Sequence, residues 1–299
     1  MRERLARRVG PHLASAVTLG TFHALGARIL RAHPGDGRSA RYSIYDEGDA
    51  KRVLERYLTR ADKARIDRDA VLAAISRAKN HRVARERLAT ATPDELGGLV
   101  LHDDIRRIVA SVWAQVEAEL ERSDALDFDD LLGFSVALLE RWPDILAGYR
   151  RRWRYVQVDE HQDTNPLQQR MLVLLAGGRP NLMVVGDDHQ AIYAFRSADV
   201  RNLLRFDREH PNARVVRLVR NYRATPQLVA AANRLIAHNT TGRPKTMVAQ
   251  APPGPAPVCP ARTPATRTRP AGSPRRSPGP PHGGSPARRS PCWPAPRAC

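Results

Sequence analysis

Apolar and polar positions along the chain follow two rhythms. Four short runs are apolar or β-branched: Ala16–Thr21 (AVTLGT), Tyr155–Asp159 (YVQVD), Asn181–Gly186 (NLMVVG) and Val215–Val219 (VVRLV). Runs of this length and composition predict buried strands. Between them the apolar residues recur at helical spacing. Phe22–Ala32 aligns Phe22, Leu25, Ile29 and Leu30 on one face, and Asp46–Leu58 turns Val53, Leu54 and Leu58 inward behind an acidic first turn. Phe128–Glu140, Gln168–Leu175 and Thr225–His238 follow the same rule. Residues 66–122 are helical in period, interrupted near Thr92–Pro93, with no evident strand.

Strands alternating with helices predict an α/β fold, a mostly parallel sheet with helices on its faces. The helical stretch at 41–125 reads as an all-helical insertion between two parts of one α/β domain, residues 1–40 and 126–212. A second domain is expected to begin at 213–250. Ligands in such folds bind beyond the carboxyl ends of the strands, and three of the four predicted strands lead straight into polar residues.

Composition changes the picture at the C-terminus. Residues 251–299 hold 15 of the 24 prolines and 8 arginines, and no Asp, Glu or Lys. So little apolar area cannot offset the entropy of ordering the chain, so this tail is expected to be disordered. It reads either as a basic nucleic-acid-binding arm or as out-of-frame translation of a GC-rich gene, and its abrupt onset favours the second. The net charge of +18 leaves +10 on residues 1–250 once the tail is set aside, a modest argument for a polyanionic partner. No apolar run approaches the roughly 20 residues of a membrane span, and the N-terminal MRERLARRVG is not a signal peptide. A cytoplasmic protein is expected. Cys259, Cys292 and Cys299 show neither metal-ligand spacing nor a disulfide framework.

The candidate chemistry lies at the strand ends. YVQVDEHQDTN ends a strand in Asp159 and Glu160, a pair that can hold Mg²⁺ and polarise an attacking water; an ordinary acidic turn is the plainer alternative. VVGDDHQAIYAFRSAD places Gln190, Tyr193, Phe195 and Arg196 after a second strand, where aromatics beside a basic residue can stack unpaired bases or fill a core. LVRNYRAT offers Arg220, Tyr222 and Arg223, suited to an adenine ring and a phosphoryl group or to a basic turn. LGTFHALGARIL puts Thr21, Phe22 and His23 at a helix N-terminus, a place that favours phosphate and equally suits a capping or core histidine.

In this order the segments resemble the UvrD/Rep/PcrA-type superfamily 1 DNA helicases. GTFHALGARIL is similar to motif Ib of that family. DFDDLL at 127–132 is similar to its short acidic motif, VDEHQDTN to motif II, VGDDHQAIYAFRSAD to motif III and RNYRAT to motif IV. The resemblance spans roughly residues 1–245 and implies a RecA-like P-loop NTPase sheet, incomplete here, with a 1B-like insertion and the start of domain 2A. It implies ATP and Mg²⁺ as cofactors, single-stranded and partly duplex DNA as partners, 3′→5′ unwinding as the activity, and a place at the bacterial nucleoid. Residue by residue, Asp159 would coordinate Mg²⁺ and Glu160 would activate water. Gln162 and Asp163 would complete the motif around the nucleotide, and Tyr222 would stack on adenine. Gln190 would sense the γ-phosphate, and Arg196 and Arg223 would approach it. Thr21, Phe22, His23, Tyr193 and Phe195 would contact DNA.

Departures from the family pattern are equally plain. No G-x-x-x-x-G-K-[ST] loop occurs in the sequence; Lys245 precedes a Thr, but Pro244 stands where the glycine belongs. MRERLARRVG is similar to the tail of motif Ia, and the Pro/Arg tail occupies the place of motifs V and VI. Ser197 replaces the usual glycine. The chain alone is therefore expected to hydrolyse ATP negligibly. Two other readings follow: a non-catalytic fragment that binds single-stranded nucleic acid, and a pseudogene product without a stable fold.

Overall fold

A computed structural model of the chain describes residues 1–34, 39–178 and 181–255. Two short helices, α1 (Arg2–Val9) and α2 (Pro11–Ala16), lead to α3 (Phe22–Ala32). The insertion follows β1 (Ser43–Ile44) and comprises α4 (Glu47–Tyr57), α5 (Arg60–Arg65), α6 (Arg68–Asn80) and α7 (Asp103–Arg122). The chain returns through β2 (Ala125–Leu126), α8 (Phe128–Arg141), α9 (Pro143–Arg152), β3 (Val156–Val158), α10 (Pro166–Ala176) and β4 (Leu182–Val184). It continues with α11 (Arg201–Leu204), α12 (Phe206–Glu209), β5 (Arg220–Asn221), α13 (Pro226–Ile236) and β6 (Val248–Ala249).

The helices begin where local chemistry starts them. Thr21 Oγ1 accepts the Ala24 amide at 3.2 Å and opens α3. Asp46 with Asp49, Asp127 with Asp130, and Asn165 with Gln168 form reciprocal capping boxes at α4, α8 and α10. At the end of α10, Gly177 takes the left-handed conformation that closes a helix.

Among the described residues the strands form three separate two-stranded parallel sheets, β1 with β2, β3 with β4, and β5 with β6, rather than the single mostly parallel sheet expected. The first pair clasps the two ends of the insertion, Ser43 opposite Ala125 and Ile44 opposite Leu126. Inside, Leu54, Val71, Leu88, Val109 and Trp113 form the insertion's own core. A second core, with Ile29, Leu132, Leu139, Leu167 and Met171, lies among α3, α8 and α10. Gly26 makes it possible for α3 to lie against α8, since a Cβ there would stand 2.7 Å from the Leu131 carbonyl oxygen.

Three expectations are corrected. Ala16–Thr21 is not a strand: α2 ends at Ala16 and residues 18–20 run on without regular structure. Thr18 is held by a side-chain bond from Trp153 Nε1 at 3.0 Å rather than by a strand ladder. Residues 215–219 likewise lie outside any strand, and pairing starts one step later at Arg220 opposite Val248. Residues 251–255, expected as the start of the tail, run beside α13, with the Gly254 amide donating to Gln227 Oε1 at 3.1 Å. The rest of the tail, from 256, lies outside the described residues. Among the described residues no helix is long and apolar enough to cross a membrane.

Candidate functional site at the tips of β3 and β4

The parallel pair β3–β4, with Val158 opposite Val184, delivers two chain segments side by side. The Val185 amide donates to the Val158 carbonyl at 2.8 Å, and the His161 amide returns to the Val185 carbonyl at 2.9 Å. Between these bonds the chain must turn sharply. Glu160 takes φ +51°, a left-handed conformation uncommon for a residue with a side chain. The turn leaves the Asp159 and Glu160 side chains exposed, with Asp159 Oδ1 accepting the Glu160 amide at 3.1 Å.

Beneath this tip, Gln162 is buried and spends its whole amide on neighbours. Its Nε2 donates to Glu160 Oε2 at 2.8 Å and to Asp163 Oδ2 at 3.2 Å, and its Oε1 accepts the Asp187 amide at 3.0 Å. The approach requires bare backbone at Gly186, where a Cβ would come within 2.7 Å of Gln162 Oε1. Burial, together with the nearby Glu160 charge, pushes the Asp163 carboxyl up from its ordinary value.

Asp187 carries the connection onward. Its Oδ2 accepts Gln190 Nε2 at 2.8 Å, and its Oδ1 pairs with Lys245. Burial pushes Asp187 up, but the bonds from Lys245 and Gln190 outweigh it and hold the carboxyl below the usual range. An unbroken run of side-chain and backbone bonds thus joins Glu160, Gln162, Asp187 and Gln190. Next to it, Asp188 Oδ2 accepts the Arg243 amide at 2.6 Å, while Arg243 Nη2 pairs with Asp207 at 2.7 Å. Lys245 and Arg243 were not expected at this site; the rarity of lysine in the chain was the available signal.

Beyond Gln190 the chain forms a tight turn at Ala194–Arg196 that carries Tyr193 and Phe195, 40% and 68% exposed, with ring centroids 5.9 Å apart. Arg196 lies in this turn. Ser197, where glycine is usual in the resembling motif, closes it at φ +63°, a glycine-like conformation. The remaining candidates lie elsewhere. Thr21 caps α3, Phe22 packs against the α3–α8–α10 core, and the His23 ring meets Phe128 edge-on at 5.4 Å. Burial lowers the His23 pKa. Tyr222 and Arg223 are exposed at the turn into α13, where Asn221 Oδ1 accepts the Arg223 and Ala224 amides at 3.0 and 2.8 Å. Among the described residues, no hydrogen bond or ion pair joins either side chain to the Glu160–Gln190 run.

Among the described residues no cluster of three or more His, Cys, Asp or Glu forms a ready metal cage. Mg²⁺ keeps most of its waters and takes one or two carboxylates. The exposed oxygens of Asp159 fit that habit.

Fold and site define a largely helical chain with small parallel sheets and with acids at the tips of two adjacent parallel strands. Residues 1–211 match the UvrD/REP helicase N-terminal domain, and the chain belongs to that family. It is 37% identical over 251 residues to the ATP-dependent DNA helicase PcrA of Leuconostoc citreum, covering 83% of this chain and 32% of that protein. The ATP-dependent DNA helicase UvrD1 of Mycobacterium tuberculosis is 40% identical over 260 residues, covering 83% and 33%. PcrA of Bacillus subtilis is 36% identical over 250 residues, covering 83% and 32%. The chain therefore spans about a third of the length of the curated relatives it matches.

Proposed function

We propose that this chain forms the acidic tip and the single-strand platform of an ATP-dependent 3′→5′ DNA helicase with a RecA-like core. The observation that carries this reading is the bonded run from Glu160 through Gln162 and Asp187 to Gln190. A group that activates water at Glu160 and one that reads DNA near Tyr193 must respond to each other, and this run reaches from Glu160 to Gln190, which lies just before Tyr193 in the chain. Asp159 would hold Mg²⁺ through water, and Tyr193 and Phe195 would stack on unpaired bases. Arg196, Tyr222 and Arg223 would complete the nucleotide site when the two α/β parts close. Thr21, Phe22 and His23 would lie along the strand. Such a protein works on nucleoid DNA in the cytoplasm.

The chain's own sequence lacks a phosphate loop, so most contacts to the β- and γ-phosphates are missing. The expected behaviour alone is binding without turnover. Fluorescence anisotropy with a labelled oligothymidylate tests the first half. Binding should be measurable at low salt and weaken at least about tenfold between 50 and 200 mM salt. A Tyr193→Ala, Phe195→Ala double variant should weaken it by about tenfold or more, since each base stack contributes about 1–3 kcal/mol. No binding at low salt would remove the platform. Single-strand-stimulated ATP turnover that Glu160→Gln abolishes would refute the claim of inactivity.

A further inference from the structure

The helical insertion reaches the aromatic turn through an arginine whose position was not anticipated from the sequence. Arg77 stands in the last turn of α6. Its Nη2 donates to the Ala194 carbonyl at 3.0 Å, across 117 residues of sequence. Ala194 lies between Tyr193 and Phe195. Its carbonyl also accepts the Ser197 amide at 3.1 Å, and the Tyr193 carbonyl accepts the Ala198 amide at 3.3 Å. The guanidinium therefore bonds to the carbonyl that closes the turn. A charged donor makes such a bond roughly twice as strong as a neutral one.

The arginine is itself held in place. A Cβ at Gly97 would stand 2.4 Å from the His81 ring and 3.5 Å from Arg77 Nη1. Gly97, at φ +61°, thus leaves bare backbone beneath both side chains. On its far side the turn is tied to the loop of the acidic tip. The Asp199 amide donates to the Thr164 carbonyl at 3.0 Å, and Asn202 Nδ2 donates to the same carbonyl at 3.1 Å. The Tyr193–Phe195 segment is gripped from both sides, by the insertion and by the strand tips.

We propose that Arg77 is a positioning residue through which the helical insertion fixes the Tyr193–Phe195 turn in the geometry that receives unpaired bases. The proposal rests on the platform reading above. Arg77 touches the turn and not the DNA, so its effect is read in the order of the turn as well as in affinity.

The test uses the purified full chain, its Arg77→Ala and Arg77→Lys variants, amide hydrogen exchange, and an oligothymidylate carrying one 2-aminopurine. In Arg77→Ala the Ser197 and Ala198 amides should exchange at least about tenfold faster, the consequence of losing one charge-assisted bond. Exchange within α7 should be unchanged. Affinity for the oligonucleotide should fall about three- to tenfold, with weaker quenching of the stacked 2-aminopurine. Arg77→Lys, which keeps a charged donor, should recover part of the protection and part of the quenching. Wild-type exchange at 197–198 in Arg77→Ala would overturn the proposal, as would loss of affinity with no change in that exchange. If Arg77→Ala loosens α7 as well, the lysine variant decides: protection at 197–198 no better than in the alanine variant counts against a positioning role. If the wild-type chain binds no oligonucleotide, the platform reading fails. The inference fails with it only if the exchange at 197–198 is also insensitive to Arg77.

Discussion

Replacing Lys79 by methionine removes an ammonium from inside the joint between insertion and core while keeping the aliphatic stem. Lys79 Nζ bonds Asp127 Oδ2 at 2.7 Å and Asp130 Oδ1 at 2.8 Å, and the three side chains are 10%, 18% and 13% exposed. Asp129, in the same helical turn, accepts Asn80 Nδ2 at 2.6 Å. Without the lysine, three carboxylates share the first turn of α8, opposed by the helix N-terminus and the Asn80 and Ser76 side chains. Removing one partner from a buried pair typically destabilises by about 3–5 kcal/mol. The pH dependence makes the prediction specific. Burial pushes Asp130 up to about 6 from 3.8, against the pull of Lys79. The folded state therefore holds a proton that the unfolded chain releases, and stability falls as pH rises from about 4 through the folded value. Lys79 itself is raised, its two aspartates outweighing burial, so its contribution is complete below its ordinary value of 10.5 and lost only at higher pH. Lys79→Met removes the downward pull on Asp130 and extends the falling window above 6, at about 1.4 kcal/mol per pH unit for each carboxyl affected. Urea denaturation at pH 5, 6.5 and 8, followed by helical circular dichroism and tryptophan fluorescence, measures this. The expected loss is about 1–2 kcal/mol at pH 5 and about 3–5 kcal/mol at pH 8. An equal loss at all three pH values would refute the electrostatic account, and no loss at any would remove Lys79 from the joint.

Ser197→Gly should stabilise the chain by about 1 kcal/mol, because the left-handed conformation at φ +63° strains serine and not glycine; a lower midpoint in thermal unfolding would contradict this. Gly186→Ala should destabilise by about 1–3 kcal/mol and speed exchange of the Asp187 amide, since the new methyl would collide with Gln162 Oε1; unchanged exchange there would show that Gln162 does not hold the tip. Burial lowers the pKa of the fully buried His161 to about 4. The unfolded chain takes up that proton near 6.5, so stability is complete above 6.5 and falls as pH drops towards 4. His161→Phe, which keeps an edge contact with Phe206, should flatten this part of the stability profile, and an identical slope in the two proteins would count against it.

The amphipathic helices were legible, unlike α1, α2 and α9, because a helix satisfies its own backbone. α3 occupies 22–32 as expected, since the Thr21 cap and the spacing of Phe22, Leu25 and Ile29 are both local features. α4 and α8 were equally readable from Asp46 and Asp127. Strands are not local. NLMVVG and VVRLV look alike in sequence, yet residues 182–184 form a strand, whereas 215–219 do not and reach the ladder only at their end, where the Val219 carbonyl accepts the Val248 amide at 2.8 Å. A strand exists only where another chain segment offers its hydrogen bonds. The same division runs through the site. The acids at 159–160 and the aromatics at 193 and 195 were visible as residue types after apolar runs. The positive φ of Glu160, the buried amide of Gln162 and the reach of Lys245 to Asp187 arise only when separate segments meet.

That distinction bears on how the insertion is joined to the rest. Val71, Ala74, Ile75 and Ala78 bury one face of α6 in the insertion's own core. The polar residues of its last turn reach outside that core. Arg77 bonds Ala194, Lys79 bonds Asp127 and Asp130, and Asn80 bonds Asp129. Two residues further on, Arg82 makes a two-pronged pair with Glu140 at 3.0 and 2.8 Å, and Arg170 of α10 bonds the same carboxylate at 2.7 Å. Apolar cores resist rearrangement because any gap forfeits contact over their whole surface. Directional polar bonds can be exchanged one at a time with water or with another acceptor. Among the described residues, the insertion therefore packs on its own core, is clasped at its ends by β1 and β2, and adds directional polar bonds to the aromatic turn and to α8.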